Sequence, residues 1–126
     1  METTRADEVE ETMENANIQI VESYIHGLRD KDLSKIPFAD DVVFEEPLTP
    51  TITGAESVLA YLPKVLPLVN GVRIKRHITQ GEYVATLWEV ITPMGVVPLF
   101  ECFRIVNGQI KEISAYFDPR PITNPK

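Results

Sequence analysis

The sequence predicts one α+β domain, with N-terminal helices packed on one face of a curved, mainly antiparallel sheet. Three observations carry this reading: apolar residues at helical spacing near the start, four β-rich segments after Gly71, and tight turn signals between those segments. Val9, Met13, Ala16, Ile20, Tyr24 and Leu28 recur at intervals of three and four, forming one stripe along a helix. Tyr24 belongs to that buried stripe, and Gly27 falls near the helix end. Asp30 and Asp32 are good caps for a short second helix running to Lys35 or Ile36, before Pro37 interferes.

Residues 42–46 are short, β-branched and aromatic, a strand that Pro47 and Pro50 stop. Thr53-Gly54-Ala55-Glu56 has the Thr-x-x-Glu pattern of a capping box, which opens a third helix carrying Val58, Leu59 and Leu62. Pro63 and Pro67 each remove a backbone donor and collide with the preceding turn, so they kink or divide that helix. Beyond Gly71 the β-rich segments are residues 72–79, 83–91, 96–106 and 109–117. Asn107-Gly108 is a strong two-residue hairpin signal, Gln80-Gly81 a weaker one, and Thr92-Pro93-Met94-Gly95 places Pro and Gly at favoured turn positions. Turns this short make neighbouring strands antiparallel.

The chain has 126 residues, 44% hydrophobic and 25% charged, which suits one core and needs no disulfide or metal staple. An acidic leader at residues 1–8, a single domain over 9–120 and a tail at 121–126 are the expected divisions. The leader's carboxylates suit the solvated first turn of a helix. The net charge of −7 is the wrong sign for a phosphate backbone or an anionic membrane surface, so neither nucleic acid nor membrane is an expected partner. Cys102 is the single cysteine, and no signal segment or long apolar run stands out, which makes the cytoplasm the expected compartment.

The long first helix, the strand ending Phe44-Glu45-Glu46-Pro47, the Gly-x-Glu helix start at Gly54 and the closing Ala115-Tyr116-Phe117-Asp118-Pro119 together resemble the nuclear transport factor 2-like superfamily. The likeness is to its SnoaL-like and ketosteroid isomerase-like members, over about residues 9 to 120. It implies a cone-shaped, cystatin-like fold: a strongly bent sheet wrapped around helices, with an apolar pocket opening into the cone. Dimers are common in this family, so a homodimer is expected. The resemblance also implies a division of labour, with Tyr24 at the oxyanion-stabilising tyrosine, Glu46 at the general base before a proline, and Glu101 at the protonated acid. Both acids are glutamate where the isomerases carry aspartate, and the longer arms suit a smaller or differently shaped carbonyl substrate.

Strand alternation places Glu101 on one face with Leu99 and Phe103, an apolar setting that disfavours its charged form. A neutral Glu101 and the Tyr24 hydroxyl then share an enolate oxygen, while Glu46 removes and returns a proton. Trp88 and Phe117 flank a flat apolar ligand alongside Leu99 and Phe103, and Asp118 is a second-choice acid that serves equally as a strand-ending salt bridge. No cofactor is expected. His26 and His77 have no metal-ligand spacing, so no metal site is expected, and His77 reads as a strand surface residue. Cys102 lacks a base and reads as a buried or dimer-facing thiol.

Two classes of function follow. The first is a cofactor-independent acid–base enzyme on a small apolar carbonyl compound, with a hydrolase or polyketide cyclase as variants on the same fold. The second is a non-catalytic module that binds an apolar ligand or dimerises through the outer sheet face near Phe100, Cys102 and Tyr116.

Overall fold

A computed structural model describes residues 5–124. The first helix, α1 (Arg5–Asp30), is followed by strands β1 (Phe38–Glu46) and β2 (Thr49–Thr53) and the short helix α2 (Ala55–Tyr61). Strands β3 (Gly71–Gln80), β4 (Tyr83–Thr92), β5 (Gly95–Val106) and β6 (Gln109–Tyr116) come next, and α3 (Arg120–Thr123) closes the chain. Among the described residues no helix is long and apolar enough to cross a membrane.

The six strands form one mixed sheet in the order β2-β1-β6-β5-β4-β3. Every hairpin from β3 to β6 is antiparallel, as the short turns require, while β1 runs parallel to β6. Asn107 and Gly108 both adopt positive φ, 50° and 75°, the two left-handed residues of a tight hairpin whose twist matches its strands. Register shifts leave extra residues in β1, at Lys75 of β3 and at Lys111 of β6, and these bend the sheet into a cone. The concave face packs on α1 through Val21, Tyr24, Ile25 and Leu28, all buried, and Phe103, Ile105, Ile110 and Ile113 complete the core.

The structure corrects several local expectations. Helix α1 begins at Arg5, so the acidic residues from Asp7 lie in its first turns, and Met1 to Thr4 lie outside the described residues. Val9 and Met13, on the apolar stripe, are more than half exposed because the sheet meets α1 only further along. No second helix forms at Asp32. Lys31 turns left-handed at φ 59°, and Asp32 Oδ1 accepts the Ser34 amide at 3.0 Å and hydroxyl at 2.6 Å, a local turn that competes with helix.

Residues 49–53 form β2, an edge strand, which tolerates Pro50 because an edge residue need not donate to the ladder. The capping box at Thr53 is not made. Thr53 ends β2 instead, and Gly54 at φ 100° is the N-cap of α2 without a side-chain bond. Pro63 and Pro67 do divide the helical segment, leaving two single 3-10 turns at Leu62–Lys64 and Leu66–Leu68.

Candidate functional site

A cavity of about 80 Å³ opens inside the cone, between α1, the concave sheet face and the proline-broken turns. Apolar side chains dominate its wall: Leu28 from α1, Phe44 from β1, Val90 and Val97 from β4 and β5, and Ala115 from β6. The turns add Leu62, Val65, Leu68 and Val69, and Ile122 of α3 reaches in from the segment expected to be a tail. Tyr24, Glu46, Thr92, Trp88 and Glu101 supply the polar groups. Among the residues lining it there is no lysine, arginine or histidine.

Glu101 sits on β5 facing inward, only 2% exposed, directly across from Thr86 on β4 and Ala115 on β6. Trp88 donates its indole N–H to Glu101 Oε1 at 2.9 Å. Burial pushes the Glu101 carboxyl up to about 8; the Trp88 bond opposes this and the nearby Glu46 charge adds to it. At neutral pH the group is therefore mostly a neutral acid, with Oε1 engaged by the indole and Oε2 free to carry the proton.

Tyr24 is 2% exposed and makes edge-to-face contacts with Phe103 at 5.4 Å and Phe38 at 6.2 Å. These rings lock its orientation, and its hydroxyl makes no hydrogen bond among the described residues. Burial raises its pKa well above the usual phenol value, with Glu101, Glu46 and Tyr61 reinforcing the effect. It stays protonated, a potential donor on a residue that lines the cavity.

Glu46 is the last residue of β1, where the register shift between Phe44 and Glu46 adjusts the strand end. Tyr61 at the end of α2 donates its hydroxyl to Oε1, and the Leu48 amide in the β1–β2 turn donates to Oε2. Both oxygens are thus held. Burial, and then the bond to Glu46, raise the Tyr61 pKa, which keeps that hydroxyl a donor.

Six of the eight expected residues therefore share one cavity: Tyr24, Glu46, Trp88, Leu99, Glu101 and Phe117. Phe103 does not reach the wall; it is fully buried behind the Tyr24 ring and supports it from below. Asp118 also lies elsewhere, exposed and paired with Arg120 at 2.7 Å, and that bond lowers its pKa to about 2. The salt-bridge reading of Asp118 is the one realised.

His77 is not a surface residue. Its side chain is 12% exposed, with Nε2 2.8 Å from Glu22 Oε2 on α1 and Nδ1 2.8 Å from Thr86 Oγ1. The carboxylate can only accept, so Nε2 donates to Glu22, and the Thr86 hydroxyl is the partner of Nδ1. Cys102 is half-buried on the convex face, and burial raises its thiol pKa. Among the described residues no three His, Cys, Asp or Glu side chains gather closely enough to hold a metal ion.

Tyr61 and the proline-turn residues were beyond sequence reasoning. Their role depends on how far the sheet bends over α2, and nothing in their own spacing marks them. The Glu46-Pro47 pair was the sequence signal for Glu46, which lines the cavity.

The SnoaL-like domain model matches residues 21–113, well over half the chain. No curated protein matches it. Among solved structures, a nuclear transport factor 2-like protein of unknown function from Burkholderia pseudomallei is similar at 23% identity and TM-score 0.71, covering 86% of this chain and 98% of that one. An LEH-like epoxide hydrolase of M. tuberculosis aligns at 22% identity and TM-score 0.72 over 90% of each chain. A candidate ketosteroid isomerase from Kribbella flavida aligns at 15% identity and TM-score 0.71, over 82% of this chain and 78% of that one. At such identities the likeness is one of fold. The family match, over residues 21–113, establishes that this chain belongs to the SnoaL-like family.

Proposed function

We propose that the protein is a cofactor-independent acid–base enzyme that relocates a proton on a small, neutral, apolar carbonyl compound. The observation that carries the reading is Glu101: a buried carboxyl in a cavity wall with no cation lining it, held by Trp88 and kept protonated. A carboxyl placed so is expensive for stability unless it is used.

In this reading the substrate carbonyl oxygen accepts hydrogen bonds from the Tyr24 hydroxyl and from protonated Glu101. Glu46 removes a proton from the adjacent carbon, and the C–H electron pair moves into a carbon–carbon double bond as the carbonyl becomes an enolate. The two donors stabilise the oxyanion, and Glu46 returns the proton at another carbon, so the net change is an isomerisation. Tyr61 and the Leu48 amide hold the Glu46 carboxylate throughout. The cavity is well below the roughly 300 to 1,000 Å³ of sites for drug-sized ligands, which favours a compact substrate over a steroid.

A hydrolase reading, suggested by the M. tuberculosis relative, has less support. Epoxide opening of that kind wants an arginine between acids, whereas Arg73 and Arg104 here pair with glutamates and, like Arg76, lie on the convex face.

The test is a screen of small β,γ-unsaturated ketones for isomerisation, followed by Glu46→Gln and Tyr24→Phe. Loss of turnover by about 10² to 10⁴-fold in Glu46→Gln supports the base assignment. Unchanged turnover in that variant, or ketone binding without any conversion, sinks the enzyme reading and leaves an apolar-ligand-binding module.

We also propose a homodimer through the convex face, where Ile78, Val96, Phe100 and Tyr116 are exposed together. Light scattering should give the mass of two chains, and Phe100→Glu should give one. A single-chain mass for the unaltered protein ends this proposal.

A further inference from the structure

Helix α1 ends in a Schellman motif: the Asp32 amide donates to Gly27 O at 3.0 Å and the Lys31 amide to Leu28 O at 3.4 Å. The pivot of such a motif is left-handed and is usually glycine, because a side chain there is strained by about 1 kcal/mol. Here the pivot is Lys31, at φ 59°. A lysine in a glycine position asks for a reason, and its side chain supplies one.

Lys31 Nζ donates to two backbone carbonyls, Leu66 O at 2.6 Å and Val69 O. Leu66 opens the second proline-broken turn and Val69 caps its end, so the lysine spans that turn, sharing the Leu66 carbonyl with the Val69 amide. This segment roofs the cavity with Leu62, Val65, Leu68 and Val69. It is weakly built. Pro63 and Pro67 contribute no amides, and its local ties are the single i to i+3 bonds Val65 to Leu62, Leu68 to Val65 and Val69 to Leu66. Few backbone bonds and a partly exposed surface give a segment that opens ahead of the sheet beneath it.

From this geometry we infer that Lys31 is the latch of the cavity roof and sets the largest ligand the cavity admits. By tying the roof to the rigid end of α1 it holds Leu68 and Val69 down on the cavity. It acts through the roof and touches no substrate, so it is a positioning residue. The inference rests on the reading of the cavity as a ligand site but not on the chemistry proposed there.

Lys31→Gly separates the latch from the turn, because glycine fits φ 59° while removing the tether. Amide hydrogen exchange and NMR-detected binding of cyclohexanone, 1-indanone and 9-fluorenone are measured on the full chain, on Lys31→Gly and on Lys31→Arg. In Lys31→Gly the Leu68 and Val69 amides should exchange about tenfold faster while protection in β4 and β5 is unchanged. The size limit should rise, with 9-fluorenone binding about tenfold more tightly than to the unaltered chain. Lys31→Arg, which keeps a long donor, should restore both. Unchanged exchange at Leu68 and Val69 in Lys31→Gly overturns the latch, as does faster exchange with an unaltered size limit. Faster exchange with no ketone bound by any of the three proteins overturns the size-limit inference together with the ligand-site reading. Loss of turnover in Glu46→Gln bears on the chemistry alone.

Discussion

Trp88 and Glu101, on neighbouring strands of the concave face, are joined by an indole N–H to carboxyl oxygen bond of 2.9 Å inside a mostly apolar wall. The bond favours the charged carboxylate and so opposes the burial that keeps Glu101 protonated. Trp88→Phe removes the donor while keeping an aromatic ring. The Glu101 pKa should then rise above its present value of about 8, read by carboxyl-carbon NMR with Glu101→Gln for assignment. A fall in pKa would show that water replaces the indole and that burial is not dominant.

Stability should depend on pH through the same carboxyl. Glu101 titrates near 8 when folded but near 4.5 when exposed by unfolding, so the folded state holds the extra proton between those values. The contribution is fully present below about 4.5, declines as pH rises and is lost above about 8, on the order of 5 kcal/mol in all. Urea unfolding at intervals from pH 5 to 8.5 measures it. Glu101→Gln should flatten this slope, and an equally steep slope in the variant would assign the effect to other groups.

Tyr61 sits at the junction of α2 and the roof and donates to Glu46. Tyr61→Phe removes that donor but keeps the ring beside Phe44, 5.9 Å away. If the proposed isomerisation is found on a screened ketone, kcat should fall about tenfold with KM nearly unchanged, because Glu46 loses one of its two restraints. A change confined to KM would place Tyr61 in substrate binding instead.

Gly27→Ala sets two effects against each other. Alanine favours helix by about 1 kcal/mol. Its Cβ, however, would lie 2.8 Å from Asp32 O and 3.1 Å from Ile36 Cδ1, and the first of these is backbone that cannot swing aside. The clash should win, with a net loss of about 1 to 3 kcal/mol in urea unfolding. Equal or greater stability would mean that the Schellman turn can open without cost.

Strands β3 to β6 were legible because each pair is joined by a turn whose chemistry is local, with Gly81, Gly95, Asn107 and Gly108 at positive φ. The segment around Asp32 was not. There, Lys31 and the Asp32–Ser34 bonds decide the conformation, and Lys31 is explained only by carbonyls 35 and 38 positions further along. Strand β2 was hidden by Pro50, which is tolerated only because the strand is an edge. For the site, alternation along β5 placed Glu101 and Leu99 correctly on the inner face but could not tell which inner residues reach open space. Phe103 shares that face and is covered by Tyr24, a fact that depends on the depth of α1 in the cone.

The parallel pairing of β1 with β6 joins stretches from opposite ends of the chain, Phe38 with Ile110 and Phe44 with Ile113. Such distant partners close large loops and are slow to meet, whereas the β3–β6 meander is assembled from adjacent hairpins. Folding should therefore raise the wall that carries Glu101 first and add the strand that carries Glu46 later, an order that pulse-labelled hydrogen exchange would reveal as early protection in β4 and β5 and late protection in β1. Glu101 and Glu46 come together only at the final step of assembly, so a partly folded chain has one wall of the cavity without the other.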